Sequence, residues 1–447
     1  MTVGMILIPL VLSFAVTMLA GLAKGNGGKN AVRIISAVLR SLTPIALALL
    51  LIDLLAVKTR LLPISMMTSA PAAWVIPVLT LALPLTGFLM NAAVQNGHDS
   101  TFGKSLGAAA HWTADRMPAI VVSAIAIEAM FSGRGLGSYL MQSIWQYQLG
   151  RTAAILIFFA VLVYLLKFLM DVLAALFSGG DPAEQVYAAR SKEDRSGKAL
   201  FLIGAVFAGT VLLFAAVTPF IAGDPAKMSA QSINLLPGVK GHLFGTDQFG
   251  RDIFTVSVHG LRNTVLLAMT NTALATALGI GFGVLAGFLP KGASEIFKGL
   301  RYVLGFGAPL ALFLILLIGK GSYGIAAFFV IGLFTWGGIA ERIGYGIKAR
   351  KAAGPGKTAL ILPALEQLVH TFCAAIVGTS LIGFLGLMTN NPRFLTLGML
   401  ISSGRQVVGR SAYAGLTPAV MLIVLLLAFY LMHAGLCAME RHLKAEE

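Results

Sequence analysis

Charge is what this chain is short of. Of its 447 residues 11% are charged and 57% hydrophobic, with a mean hydropathy of +0.86. Soluble domains carry about a quarter charged residues, so the composition excludes an ordinary soluble fold and implies a polytopic membrane protein. Acids are scarcer than bases, 18 against 33, for a net charge of +15. In a soluble chain that balance suggests nucleic acid. In this one cationic cytoplasmic loops account for it, and no nucleic-acid partner is expected. Cysteine is nearly absent: Cys373 and Cys437 both fall in apolar segments. No disulfide framework and no Cys/His metal set is visible, so no metal site is expected. No basic region precedes the first apolar run, so no cleaved signal peptide is expected. Paired carboxylates and nucleophile triads are missing too, so no catalytic residue, cofactor or enzymatic activity is expected.

What is present is a series of long apolar runs. A bilayer crossing needs about 20 such residues. Eleven candidates appear, at roughly 3–22, 34–57, 73–95, 108–130, 152–177, 199–222, 264–289, 302–319, 323–340, 358–386 and 413–437. With the amino terminus outside, the cytoplasmic loops and tail hold 18 Lys and Arg and the outer loops 12, which is the expected asymmetry. The segment 179–198, GGDPAEQVYAARSKEDRSGK, is a linker by its glycines, proline and mixed charge. It divides residues 1–178 from 199–447, and the two parts echo each other. Ala20-Gly21 with Lys24-Gly25 returns as Ala286-Gly287 with Lys291-Gly292, and Leu136-Gly137 returns as Leu397-Gly398. The expected fold is all-α and polytopic, about eleven transmembrane helices in two pseudo-symmetric halves with a path between them.

The most patterned stretch runs from His242 to Thr264, HLFGTDQFGRDIFTVSVHGLRNT. Gly245-Thr246-Asp247 and Gly250-Arg251-Asp252 form a glycine-punctuated turn. An amphipathic segment carrying His259-Gly260 and Arg262 follows, and is expected to lie along a membrane surface. The turn resembles the GTDxxGRD segment of one permease subunit of bacterial ABC importers for oligopeptides, dipeptides and nickel. Ser380-Leu381 with Phe384-Leu385-Gly386-Leu387, and Gly404-Arg405-Gln406, are similar to the SLSFLGLG and GRQ of that subunit. Residues 16–95 and the turn Glu128-Ala129-Met130-Phe131 with Gly135-Leu136-Gly137 resemble the partner subunit, as do Asp171 and Asp181-Pro182.

The resemblance therefore implies both permease subunits in one chain, the first without its opening helix. It implies a bacterial inner-membrane location, an extracytoplasmic solute-binding protein and two ABC ATPase subunits as partners. The ATPases would dock on loops 91–107 and 341–357, through Asn91, Ala92, Ala93, Gly97 and Lys104 in the first and Glu341, Arg342, Lys348, Arg350, Gly354 and Lys357 in the second. Both loops are shorter than the family's and the first lacks its acid. Two rival readings stay open, a secondary transporter and a membrane scaffold that has lost coupling. Gly356-Lys357-Thr358 and Gly103-Lys104-Ser105 imitate the end of a phosphate-binding loop. The required first glycine is replaced by Lys351 and His98, so the chain itself binds no ATP.

Ionisable residues inside apolar runs are functional candidates by default. Asp53 is expected to reach water at an outer helix end, and Lys167 with Asp171 to form an intrahelical pair. Glu366 and His370 either line the path or sit at the interface. His433 is expected alone near a cytoplasmic end. Gly279, Gly281, Gly283 and Gly287 crowd the seventh run, a pattern that permits close helix packing.

Overall fold

The structure is a computed structural model, and it describes residues 1–20, 25–66, 70–95, 102–146, 148–178, 195–289, 331–333, 335–353, 361–386 and 391–446. Among them there is no β-strand, only an isolated bridge between Thr246 and Asp252. Seven α-helices come before the linker: α1 (Thr2–Ala20), α2 (Gly25–Ser41), α3 (Pro44–Leu51), α4 (Val75–Gln95), α5 (Phe102–Met130), α6 (Leu136–Trp145) and α7 (Leu149–Ser178). Among the described residues six follow it: α8 (Arg195–Ile221), α9 (Ile253–Phe288), α10 (Gly337–Ala353), α11 (Ile361–Phe384), α12 (Leu397–Gln406) and α13 (Tyr413–Glu446). Among the described residues six helices are long and apolar enough to cross a membrane, and a seventh crossing arises if the bent pair α2–α3 counts as one. The chain is an all-helical, multi-pass membrane protein. The expected spans 302–319 and most of 323–340, and linker residues 179–194, lie outside the described residues.

The expected span 34–57 is broken. Its two pieces, Ala31–Ser41 and Pro44–Lys58, meet at 83°. Proline disfavours helical backbone in the residue before it, and Thr43 accordingly holds φ −58°, ψ 143°. A π-helical stretch, Ile52–Lys58, then ends the piece. Within it Asp53 is buried rather than open to water, and its carboxylate is held 2.7 Å from the exposed Lys58 ammonium.

The order long helix, ten-residue helix, long helix occurs twice, as α5–α6–α7 and as α11–α12–α13. Each short helix tucks a glycine against the long helix before it. A Cβ on Gly137 would lie 3.1 Å from Cα of Ile125, and one on Gly398 would collide with the carbonyl of Ser380. One apolar core runs through both parts. It joins Met5, Leu49 and Met117 to Cys373, Leu425 and Phe429, because α13 packs against α2 and α3 as well as against α8.

The segment after the GTDQFGRD turn is not a separate surface helix. It is the opening of α9, one continuous helix of 36 residues, about 54 Å long at 1.5 Å per residue. Its buried positions, among them Ile253, Val256, Gly260, Thr264, Ala268, Asn271 and Ala275, recur every three or four residues along one side. Farther along, Gly279, Gly283 and Gly287 receive Ile339, Ile343 and Ile347 of α10, where a Cβ would meet each isoleucine at 2.7 to 2.8 Å. The two helices run parallel at that close spacing. Gly281 faces open space.

Candidate translocation seam and the polar loop

The loop that opens on Gly223 and closes on Asp252 is built around Asp247. Its Oδ1 accepts from the backbone N–H groups of Phe249 and Arg251, both at 2.9 Å. Its Oδ2 accepts from Nε and Nη2 of Arg251, both at 2.7 Å. Both residues are buried, so the pair is a fork held out of water. Gly245 and Gly250 sit at φ +79° and +70°, and a Cβ on either would strike the carbonyl of Leu235 or Ser229. Thr246 accepts from the N–H of Leu235 at 2.8 Å and donates to Ser232 O. Asp252 caps α9, accepting at 2.8 Å from both the N–H and the hydroxyl of Thr255, and its other oxygen meets His242 Nδ1 at 2.9 Å. Thr246, Asp247, Arg251 and Asp252 therefore each have a structural job.

His259 donates to Gly223 O at 3.0 Å, and Gly260 lets Leu400 of α12 approach, with a Cβ only 2.7 Å from it. Asn263 donates to the carbonyls of Arg393 and Leu395, and Leu397 N–H donates to Thr264. These contacts clamp the loop to the start of α12. Arg393 also meets Asp224 at 3.4 Å. The Asp224 carboxyl lies below its ordinary range, chiefly because it accepts the Ala226 N–H and then because Arg393 is near. Arg262 is half-buried one turn farther on.

The turn of the first part is a matching clasp at the same end of the bundle as the amino terminus. Glu128 is fully buried. It accepts from the Thr2 hydroxyl at 2.7 Å and from Ser138 N–H at 3.3 Å. Side chains at Gly135 and Gly137 would fill the space its carboxylate occupies.

The residues expected to meet ATPases divide. Asn91, Ala92 and Ala93 form the last turn of α4, not a loop, and Lys104 opens α5. Glu341, Arg342, Lys348 and Arg350 lie on α10, so the expected loop 341–357 is helical as far as Ala353. The glycine stripe of α9 supplies the surface on which that helix packs. Arg342 is turned inward, its Nη2 2.6 Å from Glu366 Oε2. Gly97, Gly354 and Lys357 fall outside the described residues, as do the side chains of Ala93, Lys104, Lys348 and Arg350.

The feature that sequence reading missed lies where the two parts meet. Glu366 and His370 on α11 face His433 and Cys437 on α13 and Arg40 and Arg116 from the first part. His433 is not alone: its Nε2 is 3.0 Å from Glu366 Oε1. Cys437 Sγ is 3.4 Å from the same oxygen and 3.7 Å from His433 Nδ1. A Cys/His/Glu group at metal-ligand distances therefore exists, against expectation. It was hidden because its members come from two helices far apart in the chain. The one signal was the repeated i,i+4 spacing, Glu366/His370 and His433/Cys437. Arg40 Nη1 lies 3.4 Å from His433 Nδ1, and its guanidinium stacks over Tyr430 at 4.9 Å. Arg116 Nη2 meets His370 Nε2 at 2.5 Å.

Farther along the seam a small cavity is lined by Thr43 and Pro44 at the break of α2–α3, Ser123 of α5 and Val377 and Ser380 of α11. The hydroxyls of Thr43 and Ser380 have no protein partner there. Arg116 and Ser123 are seven apart on α5. Glu366, His370, Val377 and Leu381 follow at steps of four, seven and four on α11, so each set shares one face. Away from the seam, Lys167 pairs mainly across helices, with Asp115 at 3.2 Å, and only loosely with Asp171 at 3.9 Å.

No family model matches the chain. It is 25% identical over 258 residues to the di/tripeptide transport system permease protein of Pseudomonas aeruginosa, covering 52% of this chain and 84% of that protein. It is 26% identical over 260 residues to the dipeptide transport system permease protein of Haemophilus influenzae, covering 53% and 88%. The dipeptide transport system permease protein of Bacillus subtilis is 28% identical over 218 residues, covering 43% and 67%.

Proposed function

We propose that this chain is the transmembrane permease of an ATP-driven ABC importer, with both permease halves fused, and that it forms the path for peptides or a similar small solute. One observation carries the reading. About half of this chain covers 84% and 88% of two relatives named as peptide permeases. That leaves a second stretch of similar length, and the chain carries two long–short–long helix sets, α5–α6–α7 and α11–α12–α13. Two such sets meeting across a polar seam are what a two-subunit permease compressed into one chain would present.

In this mechanism the solute enters at the end that carries the Glu128 clasp and the Asp247 loop, the outer face, where a solute-binding protein delivers it. It passes between α5 and α11. The break at Thr43-Pro44 exposes backbone and hydroxyl groups to the path, a device that membrane proteins tolerate where a cavity is lined. ATPases docking at the opposite end, near Asn91–Lys104 and the carboxyl end of α10, would move α10. Arg342 would transmit that motion directly to Glu366 on α11.

Uptake of labelled dipeptide tests this in cells that express the chain with partner ATPases and a binding protein. The reading expects uptake to vanish when the ATPases carry a Walker lysine substitution. Uptake that persists there but collapses with an uncoupler makes the chain a secondary transporter. Failure to co-purify with any ATPase makes it a scaffold.

A further inference from the structure

The seam holds more positive charge than it neutralises. Arg40, Arg116 and Arg342 converge on it, and among the described residues Glu366 is the acid bonded to its members. Asp115 also acts on Arg116 electrostatically, but its carboxylate is bonded to Lys167. Arg40 is 2% exposed and Glu366 5%. A buried charge without a counter-charge or full hydrogen bonding is costly.

The hydrogen-bond pattern states what is missing. His370 Nε2 faces the Arg116 guanidinium, which only donates, so Nε2 accepts and Nδ1 carries the hydrogen. That Nδ1 has no partner, and neither does Nη2 of Arg40. His433 is already satisfied: its Nε2–H points to Glu366 and its Nδ1 accepts from Arg40. The rings of His370 and His433 lie 5.3 Å apart, so both orphan groups belong to one cluster. Two buried donors with no acceptor, within a surplus of guanidinium charge, call for an anion. A metal cation at Glu366, His433 and Cys437 is disfavoured by the same geometry. Arg342 already holds Glu366 Oε2, and Arg40 already holds the Nδ1 lone pair of His433.

We propose that Arg40, His370 and Arg116 form an anion subsite on the seam that takes a carboxylate of the transported solute. The proposal rests on the permease reading. The carboxylate would accept from Arg40 Nη2 and His370 Nδ1, and Arg116 would add charge from the facing helix. The solute's body would extend along the seam toward Ser123, Ser380 and the Thr43-Pro44 break. Binding would stitch α2 and α5 of the first half to α11 of the second.

The test is equilibrium dialysis of labelled dialanine against the purified full chain in lipid nanodiscs, with dialanine amide, acetate and Ni²⁺ as competitors. The subsite predicts that dialanine binds and that the amide binds at least about tenfold more weakly, having lost its charge-assisted acceptor. Arg40→Gln would lower affinity similarly and Arg40→Lys would restore part of it. Because Arg40 is deeply packed and its replacement puts folding at risk, His370→Phe is the second variant. It keeps an aromatic ring and removes the donor, and it predicts the same loss.

Amide and acid binding equally, or His370→Phe binding like the parent, overturns the proposal. Acetate competing as well as dialanine overturns the solute assignment in favour of a free anion. Displacement by Ni²⁺ but not by acetate identifies a metal site instead. In cells, ATPase-dependent uptake that is indifferent to His370→Phe sinks the subsite and leaves the importer standing. Carboxylate-selective binding with no ATPase-dependent uptake does the reverse.

Discussion

Asp247 shows how much a single side chain organises. It satisfies two backbone N–H groups and both arms of the Arg251 fork inside a buried turn. Asp247→Ala would strand a buried guanidinium and two amides, with a cost of about 3–5 kcal/mol. Rapid proteolytic cutting within residues 223–252 would report it, and cutting at the parent rate would refute the role. Asp252→Ala removes only a helix cap and one histidine contact, and about 1 kcal/mol is expected. The four residues Gly245, Asp247, Gly250 and Arg251 were legible in the sequence because turn geometry and ion pair are local. The seam was not. Glu366 meets Arg342, His433 and Cys437 only through the packing of α10, α11 and α13, and Arg40 and Arg116 arrive from the other half. Local spacing on α11 marked Glu366 and His370 and left their partners unnamed. Glu366→Gln would remove the buried carboxylate charge that meets Arg342 and His433, so a lower unfolding temperature is expected even with uptake aside.

Among the elements, α9 and α10 make the sharpest contrast. Gly283 admits Ile343 and the carbonyl of Ala340, while Gly281 on the same helix faces open space. Gly283→Leu therefore forces the helices apart, and a loss of about 1–3 kcal/mol, the usual cost of overpacking, is expected. Gly281→Leu is expected to leave thermal stability in detergent within about 0.5 kcal/mol of the parent, the range of substitutions that touch nothing. Equal destabilisation by both would contradict the packing described. The glycine crowding was visible in the chain, but which glycines face a partner depended on α10, whose path no local pattern fixed. The break at Thr43-Pro44 was likewise half legible. Proline accounts for the place of the break, and the 83° size of the bend had no local signal.

For the molecule as a whole, the continuous core predicts that the linker is dispensable for assembly. Residues 1–178 and 195–447 expressed as separate chains should co-purify, because α13 packs on α2 and α3 across the divide. Independent purification of the two would contradict a shared core. The helical class was legible from hydropathy, since it is an average over many residues, and the division at 179–198 stands as a proposal. The exact span count was not, because α5 carries His111, Asp115 and Arg116 across an apolar run and α1 is short.

The most direct test of the central claim is dipeptide uptake by vesicles containing this chain with its ATPases, measured with ATP supplied and withheld. The account predicts accumulation that requires both hydrolysable ATP and the ATPases. Accumulation of equal rate and extent without ATP would contradict it.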